Sequence, residues 1–140
     1  MLDQKLIEEM IEAAIQMTKM SYTPYSNFKV GAALLGKNRQ IYTGCNIENA
    51  GYSPSNCAER TAFFKAVSEG VTEFEAIAVV GGQNGVLTEI TAPCGVCRQV
   101  MMEFCDPKEF KIIMAVDKEN YKMMTLEELL PMGFGPANLA

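Results

Sequence analysis

The sequence predicts an α/β protein, a three-layer α-β-α sandwich around a mixed sheet. Helix-like and strand-like hydrophobic patterns follow one another in the order αββαβαββα. Two strand pairs, 28–35 with 40–47 and 110–116 with 121–124, are joined by links too short for a parallel crossover, so each pair is antiparallel. Between them lies Ala76 to Val80, a short, wholly apolar run that reads as a buried strand.

The elements follow from local signals. Leu2, Leu6, Met10 and Ala14, with Ile7, Ile11 and Ile15 beside them, form the stripe of an amphipathic helix that Thr23-Pro24 ends by about residue 22. Such a stripe is core, not a ligand site. Gly36-Lys37-Asn38-Arg39 turns the first hairpin. Asn56 stands as N-cap of a helix over 58–67 that Gly70 stops, placing Cys57 one residue inside it. Pro93 suits the first residue of a second helix, running to about Phe104. Thr125-Leu126-Glu127-Glu128 has capping-box form and opens a brief last helix. Beyond it the tail is rich in Gly and Pro and carries one aromatic, Phe134.

The 140 residues suit one domain, 1–140, able to bury a core without disulfides. No apolar run approaches the ~20 residues of a membrane span. Met1-Leu2-Asp3-Gln4-Lys5 lacks the pattern of a signal peptide, which favours a cytoplasmic protein with reduced thiols. Its five cysteines, an odd number, then read as ligands plus spares. With 12 basic and 17 acidic residues the net charge is −5, against a nucleic-acid binder and in favour of a small, weakly charged ligand. Histidine is absent, so any group titrating near neutrality must be a shifted carboxylate, a thiol or a metal-bound water.

Chemistry concentrates between Asn56 and Gln99. Cys94 and Cys97 lie three apart at a helix start, on one face. Cys57 opens another helix, and helix N-termini favour thiolates. Cys57-Ala58-Glu59 followed by Pro93-Cys94-Gly95-Val96-Cys97 resembles the signature of zinc-dependent nucleobase deaminases in its all-cysteine form. Plainer readings exist. The CxxC could be a redox pair, though no thioredoxin-like βαβ pattern precedes it. Cys45 or Cys105 could supply a fourth ligand and close a structural zinc site, but as small buried hydrophobes they need no such role. Glu59 could complete a capping box with Asn56; its place two residues after a ligand candidate favours catalysis. Three thiolates leave a zinc site at −1, which needs positive groups nearby. Arg60 and Arg98 are candidates against a plain surface role, Arg60 the stronger.

Four motifs extend the likeness: Ser26-Asn27-Phe28-Lys29-Val30-Gly31-Ala32-Ala33, Cys45-Asn46-Ile47-Glu48-Asn49-Ala50, Cys57-Ala58-Glu59-Arg60-Thr61-Ala62 and Pro93-Cys94-Gly95-Val96-Cys97-Arg98-Gln99-Val100. With Leu129-Leu130-Pro131 and Phe134-Gly135-Pro136 they make nearly the whole chain resemble the small, tetrameric cytidine deaminases. The resemblance implies a five-stranded mixed sheet, one zinc per subunit, and hydrolysis of cytidine or deoxycytidine to uridine or deoxyuridine plus ammonia. It implies zinc ligation by Cys57, Cys94 and Cys97, with zinc-bound hydroxide attacking C4 and Glu59 shuttling protons. Asn46 and Glu48 would bond the ribose 3′-hydroxyl, Phe28 would pack beside the base, and the backbone around Ala58 would read the pyrimidine edge. Arg60 matches an arginine that bonds ligand thiolates, and Phe134 would reach a neighbouring subunit's site in a homotetramer. Ala92 and Thr23 depart from the usual serine and alanine, and neither removes a proposed catalytic group. Two rivals stand beside this: a deaminase of a cytosine-containing antibiotic nucleoside, and a zinc-stabilised binding module without turnover.

Overall fold

The computed structural model describes residues 2–140. Asp3 caps α1 (Gln4–Met17), its carboxylate accepting from the Leu6 amide at 2.9 Å. A 3₁₀ turn, Thr18–Met20, leads toward β1 (Phe28–Gly36) and β2 (Ile41–Cys45). Then come α2 (Ala58–Ser68), β3 (Phe74–Gln83), α3 (Gly95–Phe104), β4 (Lys111–Ala115), β5 (Tyr121–Thr125) and α4 (Leu126–Leu129). The expected capping box is present at Thr125 and Glu128.

The five strands form one sheet in the order β2-β1-β3-β4-β5. Both hairpins are antiparallel, and only β3 and β4 run parallel, so the sheet is mixed as the sequence predicts. Side chains alternate across it with the period of two that strands impose. Ala33, Leu35, Ala78, Val80 and Ile113 face Ile7, Met10, Ile11 and Ala14 of α1. Leu34, Ile77, Val79, Ile112 and Met114 face α2 and α3. On that second face Phe63 meets Phe74 edge-on with ring centroids 4.9 Å apart, and both are buried. Edge-on packing at this spacing adds about 0.5–1.5 kcal/mol to the burial itself.

Two glycines set how closely the layers approach. A Cβ on Gly31 would overlap the Ala14 carbonyl oxygen, so α1 lies directly on β1. A Cβ on Gly44 would overlap the Ala58 carbonyl oxygen, which seats the first turn of α2 on β2. The second contact fixes the height of Cys57 and Glu59 above the sheet.

Several boundaries differ from expectation. β3 is longer than 76–80 because it pairs with β1 from Phe28↔Gln83 to Gly36↔Phe74. β2 ends at Cys45, not residue 47, because Ile47 leaves to bridge Tyr22 and Asn56. That bridge also removes Asn56 from the cap of α2. Its amide and carbonyl are both bonded to Ile47, at 2.8 and 2.9 Å, so the chain stays extended one residue longer and Cys57 becomes the N-cap. Likewise Pro93 precedes α3 instead of opening it, and Cys94 is the cap. Among the described residues, no helix is long and apolar enough to cross a membrane.

Candidate active site

Both helix N-termini, those of α2 and α3, converge on one point near the end of β3. Cys57 and Cys94 sit in extended backbone at their caps, with φ/ψ of −75°/156° and −69°/166°. Cys97 follows within the first turn of α3 and is buried. The Sγ atoms of Cys57 and Cys94 lie 3.5 Å apart, and all three sulfurs fall within 4.8 Å of one another. Tetrahedral zinc at ~2.3 Å from each sulfur sets sulfurs ~3.8 Å apart, so this trio could hold one zinc. Cys45 and Cys105 lie outside the trio, and burial pushes both thiols up, as expected of small core side chains.

The charge environment suits a cation bound by thiolates. Arg60, one turn into α2, donates from Nη2 to Cys57 Sγ at 3.3 Å. The hydrogen bond with the Cys97 thiol draws the Cys57 thiol down, against burial and with help from Arg60 and Cys94. Arg60 Nε–H is buried with no partner among the described residues, a cost that an electron-rich site beside it would offset. Arg98, in contrast, turns away from the sulfurs and bonds the Pro93 and Leu129 carbonyls.

Glu59 is the second residue of α2, one position early for the capping box that Asn56 suggested, and is 3 % exposed. Burial pushes its carboxyl up to about 7; its own backbone amide and Arg60 pull down, and Cys57 pushes further up. A carboxyl poised there can both take and give a proton near neutral pH.

A cleft of about 370 Å³ opens over this group. Phe28, Asn46 and Glu48 line it together with Cys57, Glu59 and Cys94. Asn46 straps the cleft to β1, its Oδ1 accepting from the Val30 amide at 2.9 Å and its Nδ2 donating to the Phe28 carbonyl at 2.8 Å. One N–H and one lone pair of the amide remain for a ligand. Glu48 accepts from the amides of Tyr25 and Ser26, at 3.0 and 3.1 Å, and from the Ser26 hydroxyl. Those bonds, the hydroxyl first, hold its carboxylate below the usual range. Ala58 is buried between Cys57 and Glu59.

Phe134 does not join these residues: it lines no part of the cleft and is 56 % exposed. Conversely, Ser26 and Thr91 line the cleft without having been singled out as site residues. Only the Ser26–Glu48 pairing, 22 residues apart in sequence, reveals the first of them. A larger concavity of about 760 Å³ opens at the other end of β3, between Phe74, Phe104 and Lys111, and holds none of the three thiols.

This combination defines an α/β metal-site protein in which a buried acid stands beside three converging thiols. Residues 4–114 match the family described as the cytidine and deoxycytidylate deaminase zinc-binding region, and the chain belongs to that family. It is 46 % identical over 134 residues to the cytidine deaminase of Sporosarcina psychrophila, covering 96 % of this chain and 95 % of that one. The cytidine deaminase of Halalkalibacterium halodurans is 47 % identical over 125 residues, covering 89 % and 91 % of the two chains. Among solved structures, cytidine deaminase from Burkholderia pseudomallei superimposes with a TM-score of 0.81 at 43 % identity, over 90 % of this chain and 97 % of that one.

Proposed function

We propose that this protein catalyses hydrolytic deamination of cytidine and deoxycytidine, releasing ammonia and the corresponding uracil nucleoside. The observation that carries the reading is the near-neutral, buried Glu59 beside three converging sulfurs at the floor of a nucleoside-sized cleft. Kinship with named cytidine deaminases along almost the whole chain supports it. Residues 1–140 act as one domain.

Cys57, Cys94 and Cys97 would hold zinc, which lowers the pKa of a water from ~15.7 toward neutrality. Glu59 accepts a proton from the attacking water and delivers it to ring N3, making C4 electrophilic. The water oxygen bonds to C4; Glu59 carries the second proton to the C4 amine, and the C–N bond breaks to release ammonia. Arg60 offsets the negative charge of the sulfur ligands throughout.

Asn46 and Glu48 hold the ribose hydroxyls with the bonding capacity that β1 and the Tyr25–Ser26 loop leave them. Free cytosine would strand those polar groups, so it is a poor substrate. Phe28 packs beside the base, and the backbone at Ala58 reads the pyrimidine edge. The cleft lining includes Glu48 and Glu59 and no lysine or arginine, which favours an uncharged nucleoside over a nucleotide or nucleic acid. Phe134, exposed on its own subunit, completes the cleft of a neighbouring copy in a homotetramer.

The test is incubation with cytidine while following ultraviolet absorbance and ammonia, with metal analysis of the same sample. Turnover with one zinc per chain is expected. Unchanged cytidine alongside deamination of a bulkier cytosine nucleoside would overturn the substrate assignment.

A further inference from the structure

The C-terminal arm that carries Phe134 is clamped to the same helix whose cap is Cys94 and whose first turn carries Cys97. Arg98 spans the two. Its Nε donates to the Pro93 carbonyl at 2.8 Å and its Nη1 to the Leu129 carbonyl at 2.6 Å. The Pro93 carbonyl belongs to the peptide plane that contains the Cys94 amide, so holding that oxygen holds the plane from which Cys94 hangs. Leu129 ends α4, and its carbonyl has no onward helical partner; a cationic donor satisfies it. Because the guanidinium is rigid and planar, the two carbonyls keep a fixed relation to each other.

The next residue of α3, Gln99, donates from Nε2 to the Phe134 carbonyl at 2.8 Å. Met102 lies beneath the glycines on either side of Phe134. A Cβ on Gly133 would come within 3.2 Å of its sulfur, and one on Gly135 within 2.9 Å of its methyl. The backbone of the arm is therefore fixed while the Phe134 ring projects outward.

We infer that Arg98 is a positioning residue that couples the Cys94 loop to the arm bearing Phe134, so that metal loading and placement of Phe134 are one event. Cys57 and Cys94 already stand at nearly the spacing zinc requires, so the metal would act by restraining the Pro93–Cys94 peptide. The guanidinium passes that restraint to Leu129, and Gln99 keeps Phe134 in register with the helix. The structural part stands without any assumption about substrate; its kinetic consequence rests on the placement of Phe134 in a neighbouring cleft.

The test is hydrogen exchange of residues 130–138 in metal-free and zinc-loaded protein, with zinc affinity from chelator competition. In the wild type, zinc is expected to slow exchange along the arm. Arg98→Gln is expected to abolish that response and weaken zinc binding about 10-fold, the lower end for partners that orient a ligand. Arg98→Lys keeps the charge but replaces the rigid fork with a flexible ammonium that sets no fixed angle between the two carbonyls; it guards against a folding failure and is expected to lose most of the response. Gln99→Ala leaves the Cys94 peptide held, so it should retain zinc affinity while raising KM more than it lowers kcat. An arm indifferent to zinc in the wild type, or a full response in Arg98→Lys, overturns the coupling. Failure to turn over cytidine would sink the proposed activity and leave the exchange result standing.

Discussion

Cys57 Sγ lies 3.5 Å from Cys94 Sγ although the two residues cap different helices. The positive ends of α2 and α3 thus point at the same sulfurs, where thiolate charge is most favoured. Arg60 adds a full charge from 3.3 Å. Arg60→Gln removes the donor that orients the Cys57 sulfur and favours its thiolate, so zinc affinity should fall about 10- to 100-fold, with kcat reduced as well. Chelator competition and steady-state kinetics check this; unchanged zinc content and rate would refute the role.

Glu59→Gln keeps size and shape while removing the titrating group. The variant should fold, retain zinc and lose about 10²- to 10⁴-fold in kcat, the usual contribution of a positioned acid–base. Its thermal stability should not drop, because a buried carboxyl in an apolar setting gives folding little. Activity that survives intact would mean that Glu59 is not the proton carrier, whereas a wild type that holds zinc but never turns over nucleoside would point to a binding module.

Gly44→Ala should cost about 1–3 kcal/mol, since its Cβ meets the Ala58 carbonyl and cannot be absorbed by a flexible side chain. Zinc affinity should fall with it, because Ala58 adjoins Cys57. A Cβ on Gly95 meets nothing within 4 Å, so Gly95→Ala should change stability by no more than about 0.5 kcal/mol. Denaturant midpoints with metal titration compare the two.

Glu48 supplies a pH dependence whose sign follows from its bonds. Its folded-state pKa is depressed below the ordinary 4.5, chiefly by the Ser26 hydroxyl. The attachment of the Tyr25–Ser26 loop is therefore fully present above 4.5 and is lost as pH falls through the lower, folded value. Protection of the Tyr25 and Ser26 amides, taken relative to the intrinsic exchange rate at each pH, should be high at pH 5 to 7 and fall in acid. Glu48→Gln should show low protection throughout; high protection in that variant would mean the carboxylate does not hold the loop.

Removing residues 132–140 deletes Phe134 and leaves Leu129 and Arg98 in place. If Phe134 serves a neighbouring cleft, KM for cytidine should rise and the assembly should loosen on dilution. Sedimentation and kinetics read both, and a truncated protein with unaltered KM and size would exclude the shared site.

The sequence alone determined the element order, both hairpins, the mixed α/β class and a set of cysteine and carboxylate candidates. These depend on local periodicity and on spacings within one turn of helix, which a chain expresses without knowing its distant partners. Tertiary structure decided what long-range pairing controls. Ile47 holds Asn56 extended and so moves the cap of α2 onto Cys57. Ser26 meets Glu48 across 22 residues, and Arg98 meets Leu129 across 31. Phe28, Asn46 and Glu48 share a cleft with Glu59, whereas Phe134 stays outside it. Hydrogen-bond geometry between segments far apart in sequence depends on how the layers seat on one another, and that seating is set by packing at positions such as Gly31 and Gly44.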